Sequence, residues 1–115
     1  MTITDQFRGK VIVLGLNGSL MGEPEATLFH TKKFQLLEAN QIRIVLDLSE
    51  MTMINSSGLG SLISALVSIR DRGGDLRLAR LSKTIDDAIQ KVQLDKIFRI
   101  FETVEEAISS FEQQQ

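Results

Sequence analysis

Two short segments restrict the fold more than any other part of the chain: Val11-Ile12-Val13-Leu14-Gly15-Leu16 and Ile42-Arg43-Ile44-Val45-Leu46-Asp47-Leu48. Both are nearly continuous in apolar residues instead of alternating. A strand of that kind is buried on both faces, as in an α/β protein whose sheet is covered by helices. The second segment has the most buried pattern and belongs at the centre of the sheet.

The rest of the chain alternates around these strands. A short strand near Ile3 leads through a turn at Arg8-Gly9-Lys10 into the first apolar run, as a hairpin. Gly15, Gly18 and Gly22 then punctuate what reads as a flexible connection. Their spacing differs from the dinucleotide fingerprint, and no Gly-Lys-Ser/Thr follows, which argues against a nucleotide site. Pro24, between Glu23 and Glu25, suits the first turn of a helix running to about Asn40. The apolar residues of that helix, Ala26, Leu28, Phe29, Phe34, Leu36 and Leu37, spread over more than one stripe, so part of it is free to face a partner.

Met51-Thr52-Met53-Ile54 reads as an apolar link, its methionines better suited to filling the core than to a binding surface. A second helix then carries Leu59, Leu62, Ile63, Leu66 and Val67 on one face. It ends at Arg70-Asp71-Arg72-Gly73-Gly74, where a glycine takes the left-handed stop. Leu76, Leu78 and Leu81 mark another strand, and Ser82 caps a helix with Ile85, Ala88, Ile89, Val92 and Leu94 on one side. A strand over Ile97-Phe98-Arg99-Ile100-Phe101 follows. Thr103 with Glu106 then forms a capping box for a last helix with Ala107, Ile108 and Phe111 inward, and Gln113, Gln114 and Gln115 are expected to fray. The pattern predicts one α/β domain over residues 1–115: a mixed, mostly parallel sheet of four to five strands with about four helices.

Composition removes several functions. With 13 basic against 15 acidic residues, a formal charge of −2 and no basic run, the chain lacks a nucleic-acid footprint. It has no cysteine, so disulfides and thiolate metal sites are excluded. No apolar run suits a membrane span and the N-terminus lacks a signal pattern, so a cytoplasmic protein without direct membrane insertion is expected. Tryptophan and tyrosine, the usual stacking platforms for bases and sugars, are absent.

An enzyme would need a nucleophile with its base, a metal cluster or a carboxylate pair. His30 is the only histidine, and nothing in its spacing aims it at a serine. Asp47 stands alone at a strand end, and the pairs Glu23/Glu25, Asp86/Asp87 and Glu105/Glu106 fall near helix starts, where they complement the dipole. No catalytic set, cofactor or metal is expected.

What remains is Asn55-Ser56-Ser57-Gly58-Leu59-Gly60, where an apolar segment gives way to the second helix. Asn and Ser cap helices, and a helix start offers free N–H groups and partial positive charge to an anion carried on Ser56 or Ser57. Gly58 and Gly60 keep the first turn bare. Either they admit a neighbouring strand of the same fold, or they admit another molecule.

The chain resembles the STAS domains, in particular the bacterial anti-sigma factor antagonists. The matching residues are Gly18, Leu20, Val45-Leu46-Asp47-Leu48 and above all Ser56-Ser57-Gly58-Leu59-Gly60, within an order of elements that agrees over nearly the whole chain. The resemblance implies a non-enzymatic module that binds a serine-kinase anti-sigma factor and frees a sigma factor. It implies that Ser56 is the phosphoacceptor, with a metal-dependent serine phosphatase reversing the modification. It also implies a partner surface of Met21, Asn55, Ser56, Ser57, Gly58, Leu59 and Gly60, on a monomer or weak dimer. Related switching proteins carry acids where this chain has Asn55 and Met21, a departure that suits a constitutive binder. The same domain also serves as a docking subunit in other assemblies, such as a stress-sensing complex or a lipid-transport ATPase.

Overall fold

The chain opens as a hairpin: β1 (Thr2–Arg8) pairs antiparallel with β2 (Val11–Leu20), and Gly9 turns the chain at φ +66°. The computed structural model describes residues 1–112, so the fraying expected of Gln113, Gln114 and Gln115 lies outside the described residues. The remaining elements are α1 (Glu25–Glu38), β3 (Arg43–Asp47), β4 (Met51–Ile54), α2 (Ser56–Asp71), β5 (Asp75–Ala79), α3 (Lys83–Lys91), β6 (Ile100–Phe101) and α4 (Val104–Glu112). The sheet runs β1-β2-β3-β5-β6, antiparallel only at the hairpin, and β4 adds a sixth strand beside β2. The α/β class expected from the sequence is the observed one.

Both faces of β2 and β3 are covered. Ile12, Leu14, Leu16, Ile44 and Leu46 pack with α1, α2 and α3 through Phe29, Leu36, Leu62, Leu66 and Ile85. Val11, Val13 and Val45 pack on the other side with Val104, Ala107, Ile108 and Phe111 of α4. Consecutive apolar residues therefore serve two separate clusters, as their pattern predicts.

Four local expectations are corrected. Gly15 and Gly18 lie inside β2, not in a loop. A Cβ on Gly15 would sit 2.6 Å from Thr4 Oγ1 of β1, and Gly18 takes φ +110° at the bulge where β2 changes partner from β3 to β4. The link Met51–Ile54 is a strand: Met51 fills the core, but Met53 is 55% exposed. The last strand covers only Ile100–Phe101, because a 3-10 turn over Leu94–Lys96 uses the chain before it. Val67 and Val92 point to solvent; α2 buries Leu59, Leu62, Ala65, Leu66 and Ile69 instead, and Val92 is already the cap residue ending α3.

Helix ends follow their caps. Ser82 Oγ accepts from the Ile85 amide at 3.3 Å, and Thr103 and Glu106 bond reciprocally, as a capping box requires. At the end of α2, Gly73 (φ +86°) donates to Arg70 O and Gly74 donates to Ile69 O, which satisfies the last carbonyls. As expected, α1 is apolar on more than one side: Phe29, Leu36 and Leu37 are buried, whereas Leu28 and Phe34 are exposed. No helix among the described residues is long and apolar enough to cross a membrane.

Candidate functional site

The division of β2 between two partners builds the site. Its first half pairs with β3, and beyond the bulge Gly18, Ser19 and Leu20 pair with Met51, Met53 and Ile54 of β4. The parallel register brings the C-terminal ends of β2 and β4 side by side. Met21, just after β2, therefore lies next to Asn55, just after β4.

Asn55 joins them. Its Oδ1 accepts from the Gly58 amide at 3.0 Å, capping α2, and its Nδ2 donates to Met21 O at 2.8 Å. Its backbone carbonyl accepts from the Leu59 amide at 2.9 Å. An aspartate would retain the cap but would present an acceptor to the Met21 carbonyl, so the amide has a structural task in this chain that an acid does not perform.

Ser56 and Ser57, the first two residues of α2, are exposed. Neither hydroxyl makes a hydrogen bond among the described residues, and their amides lie in the first turn, where no intrahelical acceptor is available. Gly58 and Gly60 divide the two explanations left open for the bare turn. A Cβ on Gly58 would stand 2.1 Å from Leu20 O and 2.7 Å from Ile54 Cγ1, so this glycine admits β2 of the same fold. A Cβ on Gly60 would meet nothing within 4 Å, so its bareness serves no packing within the chain. Leu59 is 8% exposed and belongs to the core. Of the residues expected at a partner surface, Met21, Ser56, Ser57 and Gly60 are exposed and Asn55 is half-buried. Gly58 and Leu59 lie beneath them in this structure, so they set the shape of the surface and do not form it.

Other candidates are engaged elsewhere. Asp47 Oδ1 accepts from the Ser49 amide at 3.0 Å and its Oδ2 pairs with Arg80 at 3.3 Å, closing the turn after β3. His30 makes no hydrogen bond to a serine. Its ring lies 5.7 Å from Phe29, and burial, followed by the charge of Lys33 and opposed by Glu23, lowers its pKa from the ordinary 6.5. The described residues contain no group of three or more His, Cys, Asp or Glu that could hold a metal. Sequence reasoning missed Met53, whose exposure places a flexible apolar side chain three residues before Ser56, and missed the Asn55–Met21 bond. Both depend on the pairing of β4 with β2, which has no local signal.

The STAS domain model matches residues 2–107. The chain belongs to the STAS family. It is 31% identical over 99 residues to a Thermotoga maritima protein named "Putative anti-sigma factor antagonist", covering 85% of this chain and 87% of that one. A crystal structure described as a putative anti-sigma factor antagonist from Thermotoga maritima superposes with a TM-score of 0.87 at 28% identity, over 94% of this chain and 92% of that one. The anti-sigma factor antagonist SpoIIAA in its unphosphorylated form has the same fold, with a TM-score of 0.75 at 15% identity over 99% of this chain and 100% of that one.

Proposed function

We propose that this STAS domain is an anti-sigma factor antagonist that docks a serine-kinase anti-sigma factor on the start of α2, thereby freeing a sigma factor, and that phosphorylation of Ser56 ends the docking. The observation that carries this proposal is an exposed, unbonded Ser56 hydroxyl at the first position of a capped helix, one turn from a glycine with open space above it. The relatives named as antagonists support the partner class.

A phosphate on Ser56 adds about −1.5 to −2 charges. The helix start tolerates such a group with about 0.3–1 kcal/mol of benefit. Closing an interface over it requires desolvation at several kcal/mol per ion. The interface effect is the larger one, and since about 1.4 kcal/mol is tenfold in affinity, one phosphate dissociates the complex without refolding the domain. The same exposure lets a metal-dependent serine phosphatase reverse the step. In this proposal Met21, Asn55, Ser57 and Gly60 surround Ser56 in the contact, with Met53 at its edge and Gly58 and Leu59 supporting it from below.

The test is mass analysis after incubation with the cognate kinase and Mg-ATP. One phosphoryl group is expected on the protein and none on Ser56→Ala; equal uptake by both would overturn the phosphoacceptor assignment. A second proposal, a constitutive docking module in another STAS assembly, draws on the neutral Asn55–Met21 pair where switching relatives carry acids. Stable kinase binding with no modification would favour constitutive antagonism, and neither binding nor modification would favour the other assembly.

A further inference from the structure

At the opposite end of α2, about 24 Å from Ser56 along its 16 residues and beside the starts of β3 and β5, lies an open cavity of about 500 Å³. Arg43 at the start of β3, Arg70 in the last turn of α2, Asp75 and Arg77 of β5, and Phe111 of α4 form its walls. Three guanidinium groups and one carboxylate give this lining a formal charge of +2, on a chain whose net charge is −2.

The carboxylate is already shared. Asp75 Oδ1 accepts from Arg70 Nε at 2.9 Å, and Oδ2 accepts from Arg77 Nε at 2.9 Å. Arg77, 1% exposed, also donates from Nη1 to Ser110 Oγ at 2.7 Å and lies 3.9 Å from the centre of the Phe111 ring. Arg70 Nη2 donates to Ile97 O at 2.8 Å. These bonds fix two guanidinium groups at the wall and use only part of their five N–H donors each. The Arg43 side chain makes no ion pair or hydrogen bond among the described residues, so it adds positive charge beside two arginines without a polar partner of its own. The ends of α2 and α4 oppose an anion with about half a negative charge each, which leaves the site positive. At α2 the exposed carbonyls are in addition already bonded to Gly73 and Gly74.

We propose that this cavity binds a small phosphate monoester, its dianion held by the exposed Arg70 and Arg43, with the buried Arg77 adding positive charge from behind the wall. Guanidinium forks match phosphate oxygens in pairs, the volume falls in the range of small-molecule sites, and the edge of the otherwise buried Phe111 that reaches the cavity supplies an apolar contact for the organic part. The site shares no residue with the start of α2, and its test does not depend on the role of Ser56.

The test is a titration of the whole chain with inorganic phosphate and with phenyl phosphate, against sodium chloride at matched ionic strength, following the backbone amides of Gly74, Asp75 and Arg77 by NMR. Saturable shifts confined to these residues and their neighbours are expected, with phenyl phosphate binding more tightly than phosphate. Arg43→Ala, which removes no ion pair or side-chain hydrogen bond among the described residues, should weaken phenyl phosphate about tenfold. Lys83→Ala, an equal charge change at an exposed side chain beyond the other end of β5, should leave its affinity unchanged. Shifts no larger than those of chloride, or an equal loss in the two variants, would overturn the proposal.

Discussion

The two ends of α2 are finished in different ways. At its end, the last carbonyls are bonded to Gly73 and Gly74, and Arg70 is held by both Asp75 and the Ile97 carbonyl. At its start a single side chain, Asn55, caps the helix, while two serine hydroxyls and the bare Gly60 face solvent without a partner in the described chain. The finished end is anchored by folding chemistry, and what it has left over is charge. The open end has left over groups that only another molecule can engage. Within the open end, Gly58 and Gly60 repeat the contrast at the scale of one residue.

The largest effect should come from the anchored end. Asp75→Ala leaves the buried Arg77 uncompensated and should cost about 3–5 kcal/mol in urea unfolding. A loss below about 1 kcal/mol would mean that the network is no more than a surface ion pair. Next is Gly58→Ala, whose methyl would meet the Leu20 carbonyl, with an expected loss of about 2–3 kcal/mol by the same measurement. Gly60→Ala should do the reverse, raising stability by about 0.5–1 kcal/mol while weakening the partner. If the two alanine variants changed stability in the same direction, the division between the glycines would fail.

Asn55→Ala should lower stability by about 1 kcal/mol through loss of the cap. Asn55→Asp should keep the cap and lose only the bond to Met21, which loop amide exchange would detect. The smallest effect concerns His30. Its lowered folded pKa means that the unfolded chain binds the proton first as pH falls. A small loss of stability should therefore begin as pH drops through 6.5 and level off below the folded value, with no contribution above that window. His30→Gln should remove this slope.

The caps were the clearest part of the sequence. Asn55, Ser82 and the Thr103–Glu106 pair each announce a helix through a local bond that the structure contains. The doubly buried runs announced the parallel sheet equally well, because continuous apolar strands need cover on both faces. What failed depended on partners far away in the chain. Gly15 and Gly18 carry the composition of a loop, but they stay in β2 because β1 approaches closely at Gly15 and a bulge redirects the strand at Gly18. Four residues of β4, exposed at Thr52 and Met53, have no periodicity that distinguishes them from a link. Arg77 breaks the usual association of charge with solvent, since Asp75, Ser110 and Phe111 come together around it only in the folded sheet.

The candidate site was legible as chemistry and incomplete as geometry. Ser56 and its capped helix start could be located from residue types alone. That Gly58 and Leu59 support the surface from below, and that Asn55 also holds the Met21 loop, required the register between β2 and β4.

The most direct test of the central claim is the affinity of the anti-sigma factor kinase for the unmodified chain and for the same chain carrying one phosphate on Ser56, with the melting temperature of each form measured beside it. A loss of at least about 100-fold in affinity with little change in melting temperature is expected, because the penalty of about 2.7 kcal/mol or more falls on the interface and not on the fold. Equal affinity of the two forms, or a loss accompanied by unfolding, would contradict it.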